Sequence, residues 1–258
     1  MQFIFIILLV VMVAFLLKGI ATKKALPVSL PANLKALLQQ EVAFYRKLGE
    51  TEKKQFENKV ASFLSTISIE GINTKVDDLD KVLIGASAII PIFAFEGWQY
   101  PNLTNVLLYP EHFNESFDMK DNDRPVMGMV GNGAMNHKMI LSKPALREGF
   151  SNKTDKHNTA IHEFVHLLDN LDGSTDGIPE ALLQKQYAIP WINLMHENIK
   201  AIISKRSDIN PYGATSKTEF FAVAAEYFFE RPDLFKTKHP QLFEMMEEIF
   251  RQYPAAKS

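Results

Sequence analysis

Along residues 32–258 the apolar positions fall first into helical spacing, then into short strand-like runs, then into helices again. Over residues 32–48, Leu34, Leu37, Leu38, Val42, Tyr45 and Leu48 recur every three or four positions, which predicts one helix stopped by Gly49. Thr51 reads as the cap of a second helix running to about Leu64, with Phe56, Val60, Phe63 and Leu64 on one face. Residues 66–72 read as a strand, and 77 to about 90 as a helix. Residues 82–95 (VLIGASAIIPIFAF) carry no charge, as expected of a centrally buried segment. Residues 105–109 and 138–142 read as short strands separated by a loop rich in Asp, Asn and Gly. After Thr154 the pattern is helical, with helices predicted over 156–171, 179–186, 191–204, 215–229 and 239–253. No internal repeat interrupts this order. The fold class expected is α+β: a single, mostly helical domain in which a small sheet precedes a helical half.

The N-terminus departs from that pattern. Residues 3–17 are an unbroken apolar run, which continues after Lys18 through Gly19, Ile20 and Ala21. As a helix, about 19 residues at ~1.5 Å each would reach roughly 28 Å, close to the hydrocarbon thickness of a bilayer. Only Met1 and Gln2 precede the run, where a cleaved signal peptide would carry basic residues. The positive charges follow it, at Lys18, Lys23 and Lys24, and the positive-inside rule then puts the body of the chain in the cytoplasm. The expectation is a transmembrane anchor over 1–21, a linker over 22–31 containing two prolines, and a catalytic domain over 32–258, in a single-pass membrane protein.

Composition narrows the chemistry. With 47% hydrophobic and 22% charged residues and a net charge of −2, the chain is an ordinary globular sequence without the basic surplus of a nucleic-acid binder. It contains no cysteine, which excludes disulfides, thiolate metal sites and a cysteine nucleophile. His, Asp and Glu remain as metal ligands.

His162-Glu163-Phe164-Val165-His166 is an H-E-x-x-H motif inside a predicted helix. A spacing of four puts both imidazoles on one face, so one ion can take a nitrogen from each. Glu163 points elsewhere and is placed to act as general base and then acid. A catalytic zinc takes three protein ligands and leaves a fourth position open. Asp169, Asp172, Glu180, Glu197, Glu219 and Glu226 are the available third ligands. Asp169, three residues after His166, reads better as an acceptor for an imidazole N–H than as a ligand. Glu219 stands at the start of the apolar stretch TEFFAVAAEYFF, and Glu226 lies two turns later on the same face. The remaining histidines, His112, His137, His157, His196 and His239, lack ligand-like spacing and read as surface or structural. The strand around Met139 to Leu141, just before the motif, could add a substrate peptide to its edge.

HEFVHLLDNLDG, NPYGATSKTEFFAVAAEYFFERP and HPQLFEMMEEIFRQYP, in that order, resemble the Mlc titration factor A family of zinc peptidases, the glucose-regulated peptidases. The resemblance extends to LKALLQQEVAFYRKLGETEKKQFENKV and NVLLYP nearer the start. The family's catalytic core is also similar to that of anthrax lethal factor, through the Y-x6-E-F-F-A pattern found here from Tyr212 to Ala222. What the resemblance implies is a gluzincin-type site with one Zn2+ per chain held by His162, His166 and Glu219, with Glu163 and Tyr212 catalytic. A phenol at Tyr212 would stabilise an oxyanion. The substrate expected is a peptide or protein. The alternative is a metal-stabilised regulatory protein that captures a partner such as a transcriptional regulator. A soluble relative binds a repressor of sugar uptake, but no residue here marks that surface.

Overall fold

The structure, a computed structural model, describes residues 30–111, 128–130, 137–152 and 155–257. The expected anchor, most of the linker, His112 and most of the loop between the two predicted strands lie outside these residues. Chain order is α1 (Leu34–Glu41), α2 (Ala43–Arg46), α3 (Glu50–Thr66), β1 (Ser68–Gly71), α4 (Asp78–Ile92), β2 (Asn105–Tyr109), β3 (Gly128–Val130) and β4 (Lys138–Ser142). There follow α5 (Lys143–Ser151), α6 (Thr159–Asp169), α7 (Ala188–Ile203), α8 (Lys217–Glu230), α9 (Pro232–Lys238) and α10 (Pro240–Phe250). The class is α+β, mostly helical.

The uncharged stretch forms α4, and all its residues from Val82 to Ile92 are buried. It packs against α1, α3, α5 and α6. Gly85 permits the approach to α3, since a Cβ there would stand 2.8 Å from a methyl of Val60. Its start is fixed by a reciprocal cap in which Asp77 accepts from the Asp80 N–H and Asp80 from the Asp77 N–H. Asp80 is fully buried and also meets Lys143 at 2.8 Å and Arg147 at 2.9 Å, tying α4 to α5. At the other end Lys59 Nζ donates to the carbonyls of Phe93 and Phe95, and Gln252 Nε2 to that of Ile90, so the last carbonyls of the helix are satisfied by side chains.

The sheet has four strands in the order β1-β2-β4-β3. β1, β2 and β4 are parallel, and β3 runs antiparallel to β4 with Met129 opposite Ile140. β4 is thus an interior strand, paired on both sides. The expectation that Met139 to Leu141 offer an edge to a peptide is corrected: the edge on that side is β3. A three-residue strand centred on Met129 shows too little alternation to be seen in sequence.

Further corrections have local causes. The helix predicted over 32–48 is two helices, broken at Val42, whose backbone is extended. The break turns Val42 and Tyr45 both into the core, while the Arg46 guanidinium donates to the Gln40 carbonyl that the break exposes. Thr51 is not a cap. Gly49 takes that place, its N–H donating to Glu52 Oε2. Residues 179–184 form turns and Lys185–Tyr187 a 3-10 turn in place of an α-helix, with the N–H groups of Leu182 and Leu183 both directed at the Pro179 carbonyl and both side chains buried. The single-pass membrane localisation is also corrected. No helix among the described residues is long and apolar enough to cross a membrane. The longest, α3, has 17 residues and is amphipathic, and α4, the most apolar, has only 15 and carries Asp78, Asp80 and Lys81 in its first turn.

Candidate metal centre

The motif helix α6 begins where Asn158 Oδ1 accepts the N–H of Ile161. Phe164, Val165, Leu167 and Leu168 are buried in the core, which fixes the rotation of the helix. Phe164 packs edge-on against Phe63 and beside Tyr100. That rotation sends His162 and His166 to the face covered by α8. At the start of α8, Ser216 Oγ accepts the Glu219 N–H, so the residue carrying the carboxylate is also the one held by the cap.

The atoms converge closely. His162 Nε2 lies 3.0 Å from Glu219 Oε2 and 3.0 Å from His166 Nε2, and His166 Nε2 lies 3.5 Å from Glu219 Oε2. Among the described residues these three form the group of side chains able to hold a metal ion, with their donor atoms within 4.8 Å of one another. Ligands at zinc's usual bond lengths in a tetrahedron stand roughly 3.3–3.5 Å apart, and two imidazoles with a carboxylate suit that ion. The geometry and donor chemistry therefore fit zinc.

Glu226 sets the tautomer of His162. Its Oε1 lies 2.7 Å from His162 Nδ1, and its Oε2 accepts the Asn158 N–H at 2.7 Å. With a proton held on Nδ1, Nε2 is the ring nitrogen left to serve as a metal ligand. Burial would raise Glu226, but the charge of His162 and hydrogen bonds from His157, His162 and Asn158 hold it at about 2. Burial opposes ionisation of Glu219 too, and hydrogen bonds from His162 and His166 bring it to about 2. Glu163 is pushed above the ordinary carboxylate range by burial, against the pull of His166 and His162.

Two further groups border the centre. Tyr212 lies in a short turn, Pro211–Ala214, with its ring centroid 6.1 Å from that of His162. Asn210 Oδ1 accepts the Tyr212 N–H, and Asp208, two residues earlier, is bound by Lys156, Tyr227 and His239. Gly128, on the edge strand β3, lies over Glu163: a Cβ there would stand 2.6 Å from Glu163 Cγ and Oε1.

Other candidates lie elsewhere. Asp172 is exposed and accepts from Ser174, while Glu180 and Glu197 are exposed. Asp169 is buried, but its Oδ2 accepts the Gly177 N–H rather than an imidazole proton, and its Oδ1 has no partner among the described residues. Burial raises it to about 6, against that bond. His157, read as surface or structural, stands 3.7 Å from Glu226 Oε2. Asn158 and Gly128 escaped sequence reasoning altogether. For Asn158 the signal was its place four residues before His162; for Gly128 there was none.

A helix bearing H-E-x-x-H beside a second helix bearing a carboxylate defines a metallopeptidase-like protein. The family described as glucose-regulated metallo-peptidase M90 matches residues 19–251, and the chain belongs to it. Among curated proteins it is 27% identical over 234 residues to the uncharacterized protein slr2042 of Synechocystis sp., covering 86% of this chain and 84% of that protein. It is 25% identical over 227 residues to Mlc titration factor A of Klebsiella pneumoniae, covering 81% and 83%. With Mlc titration factor A of Escherichia fergusonii it shares 27% identity over 194 residues, covering 70% and 71%.

Proposed function

We propose that the chain is a zinc peptidase in which His162, His166 and Glu219 hold one Zn2+ and Glu163 and Tyr212 do the proton and oxyanion work. The observation that carries this reading is the convergence of His162 Nε2, His166 Nε2 and Glu219 Oε2 beside a buried carboxylate, Glu163. Zinc, when bound, supplies Lewis acidity toward water and a carbonyl. Glu163 accepts a proton from the attacking water as its oxygen adds to the carbonyl carbon. The same carboxyl then delivers that proton to the amine nitrogen as the C–N bond breaks. The Tyr212 hydroxyl donates a hydrogen bond to the carbonyl oxygen as negative charge gathers there. The edge of β3, which pairs with no further strand among the described residues and lies next to Glu163, suits an extended peptide, which would pair with it as a further strand.

The test uses the full chain. About one zinc per chain, with occupancy falling in Glu219→Ala, supports the ligand set. Glu163→Gln should keep the metal and lose hydrolysis of any peptide the wild type cleaves from a mixed library; turnover retained in that variant sinks the mechanism. A second reading, a regulatory protein that captures a partner, is favoured by the name Mlc titration factor A borne by several relatives. Partner binding that survives Glu163→Gln, with no peptide cleaved by the wild type, would select it.

A further inference from the structure

Beside α6, lined by none of the metal-centre residues, lies a cavity of about 840 Å3. Ile161 lines it, one residue before His162. Its apolar surface includes Phe44, Phe93, Phe150 and Phe229, three of which pack ring against ring. The volume is that of a small-molecule site, and a lining of aromatic side chains with a few charged ones is typical of one.

The polar groups of the wall are mostly committed. Lys59 and Gln252 are bound to main-chain carbonyls of residues 90–95, and Glu52 to the N–H of Gly49. Glu230 Oε1 accepts from Asn158 Nδ2, and burial, opposed by that bond, raises the carboxyl to about 8, which leaves it neutral near pH 7. Two cations remain. Lys47 and Arg251 line the cavity and are exposed, and neither has a carboxylate partner among the described residues. Glu96, also lining, is the one carboxylate that offsets them without a hydrogen bond among the described residues.

Arg251 is also placed against conformational preference. It follows α10 with φ 51° and ψ 38°, in the left-handed region where a helix end favours Gly or Asn. Its guanidinium lies 4.8 Å from the centre of the Phe95 ring, a cation–π contact that holds the side chain, and Arg251 lines the cavity. An arginine in a conformation that favours glycine, stacked on a ring and without an ion pair among the described residues, is arranged to receive an anion.

We propose that this cavity binds a small amphipathic organic anion, whose apolar body lies on the phenylalanine floor and whose acid group is taken by Arg251 and Lys47. The site is distinct from the metal centre and does not depend on the peptidase reading. It touches the frame of that centre, because Glu230 is bonded to Asn158, whose N–H is bonded to Glu226.

The experiment is calorimetric titration of the full chain with dodecanoate below its micellar concentration. Saturable binding at one per chain is expected, at least tenfold weaker in Arg251→Glu and weakened again in Lys47→Glu. Dodecyltrimethylammonium, with the same tail and the opposite charge, should bind at least tenfold more weakly. Ala43→Trp, which adds bulk at an exposed position of the lining, should reduce dodecanoate binding without altering charge. No saturable binding, or equal affinity for the two head groups, overturns the proposal. Should Arg251→Glu unfold through loss of the Phe95 contact, Lys47→Glu carries the charge test, and unchanged affinity there overturns it.

Discussion

Glu226→Gln replaces a buried carboxylate by an amide of nearly the same shape, and the surroundings make that small change consequential. Both oxygens of Glu226 accept: one faces His162 Nδ1 at 2.7 Å, the other the Asn158 N–H at 2.7 Å. Glutamine offers one oxygen and one NH2. If its oxygen stays on Asn158, the NH2 meets Nδ1 and forces the imidazole proton to Nε2, the atom that stands 3.0 Å from Glu219 and from His166. The lone pair needed by a metal is then lost. If instead the oxygen stays on His162, two donors face each other at Asn158, at a cost of about 1–3 kcal/mol to folding. Loss of such an orienting partner typically weakens metal binding 10–100-fold, which corresponds to about 1.4–2.7 kcal/mol. We expect a fall of that size in zinc affinity, measured on the full chain by competition with a chelator at pH 7.5, with the secondary structure retained. Zinc affinity within twofold of wild type, together with an unchanged unfolding midpoint, would refute the claim that Glu226 sets the tautomer.

Gly128→Ala places a methyl group 2.6 Å from Glu163, about 1 Å inside van der Waals contact, and should lower turnover on the order of 100-fold while leaving zinc content unchanged. Asp80→Ala removes the buried partner of Lys143 and Arg147 and half of the α4 cap, while both cations keep Asp77, and should cost about 1–3 kcal/mol in urea unfolding. Glu230, held at about 8 when folded against an ordinary 4.5, binds more protons in the folded than in the unfolded chain between those values. Its contribution is complete below pH 4.5 and lost as pH rises toward 8, on the order of a few kcal/mol. The stability difference between wild type and Glu230→Gln, followed by denaturant unfolding from pH 5 to 8, should therefore shift steadily against the wild type. A difference that does not change with pH would show that Glu230 ionises freely in the folded protein.

Much of the frame was legible because its signals were local. Strands Asn105–Tyr109 and Lys138–Ser142 carry β-branched and apolar runs bounded by turn residues, and both stand at their predicted limits. The burial of α4 followed from fourteen residues without a charge, since only a fully enclosed helix has no face that needs one. The grouping of His162 with His166 is helical arithmetic. What was illegible depends on partners distant in sequence. The break at Val42 answers to a core that the local spacing does not describe. Asp169 was expected beside an imidazole, but Gly177 claimed its oxygen when the following loop folded back. Spacing alone did not separate Glu219 from Glu226. The difference lies in how α8 crosses α6, which brings Glu219 to the Nε2 side of His162 and Glu226 to the Nδ1 side.

The cap of the motif helix has a consequence for which residues this position can tolerate. Helix starts are served about equally by serine, aspartate and asparagine, so a cap is ordinarily interchangeable. Asn158 is not, because its amide works in two directions: Oδ1 accepts from Ile161, while Nδ2 donates to the Gly149 carbonyl and to Glu230. Aspartate would turn that second atom from donor to acceptor, setting it against a carbonyl and a carboxyl group. Serine, one atom shorter, would keep the cap and drop both outward bonds. Three elements, α5, α6 and α8, are thus keyed together through a single primary amide, and drift at this residue would loosen their mutual alignment before it cost the helix its start.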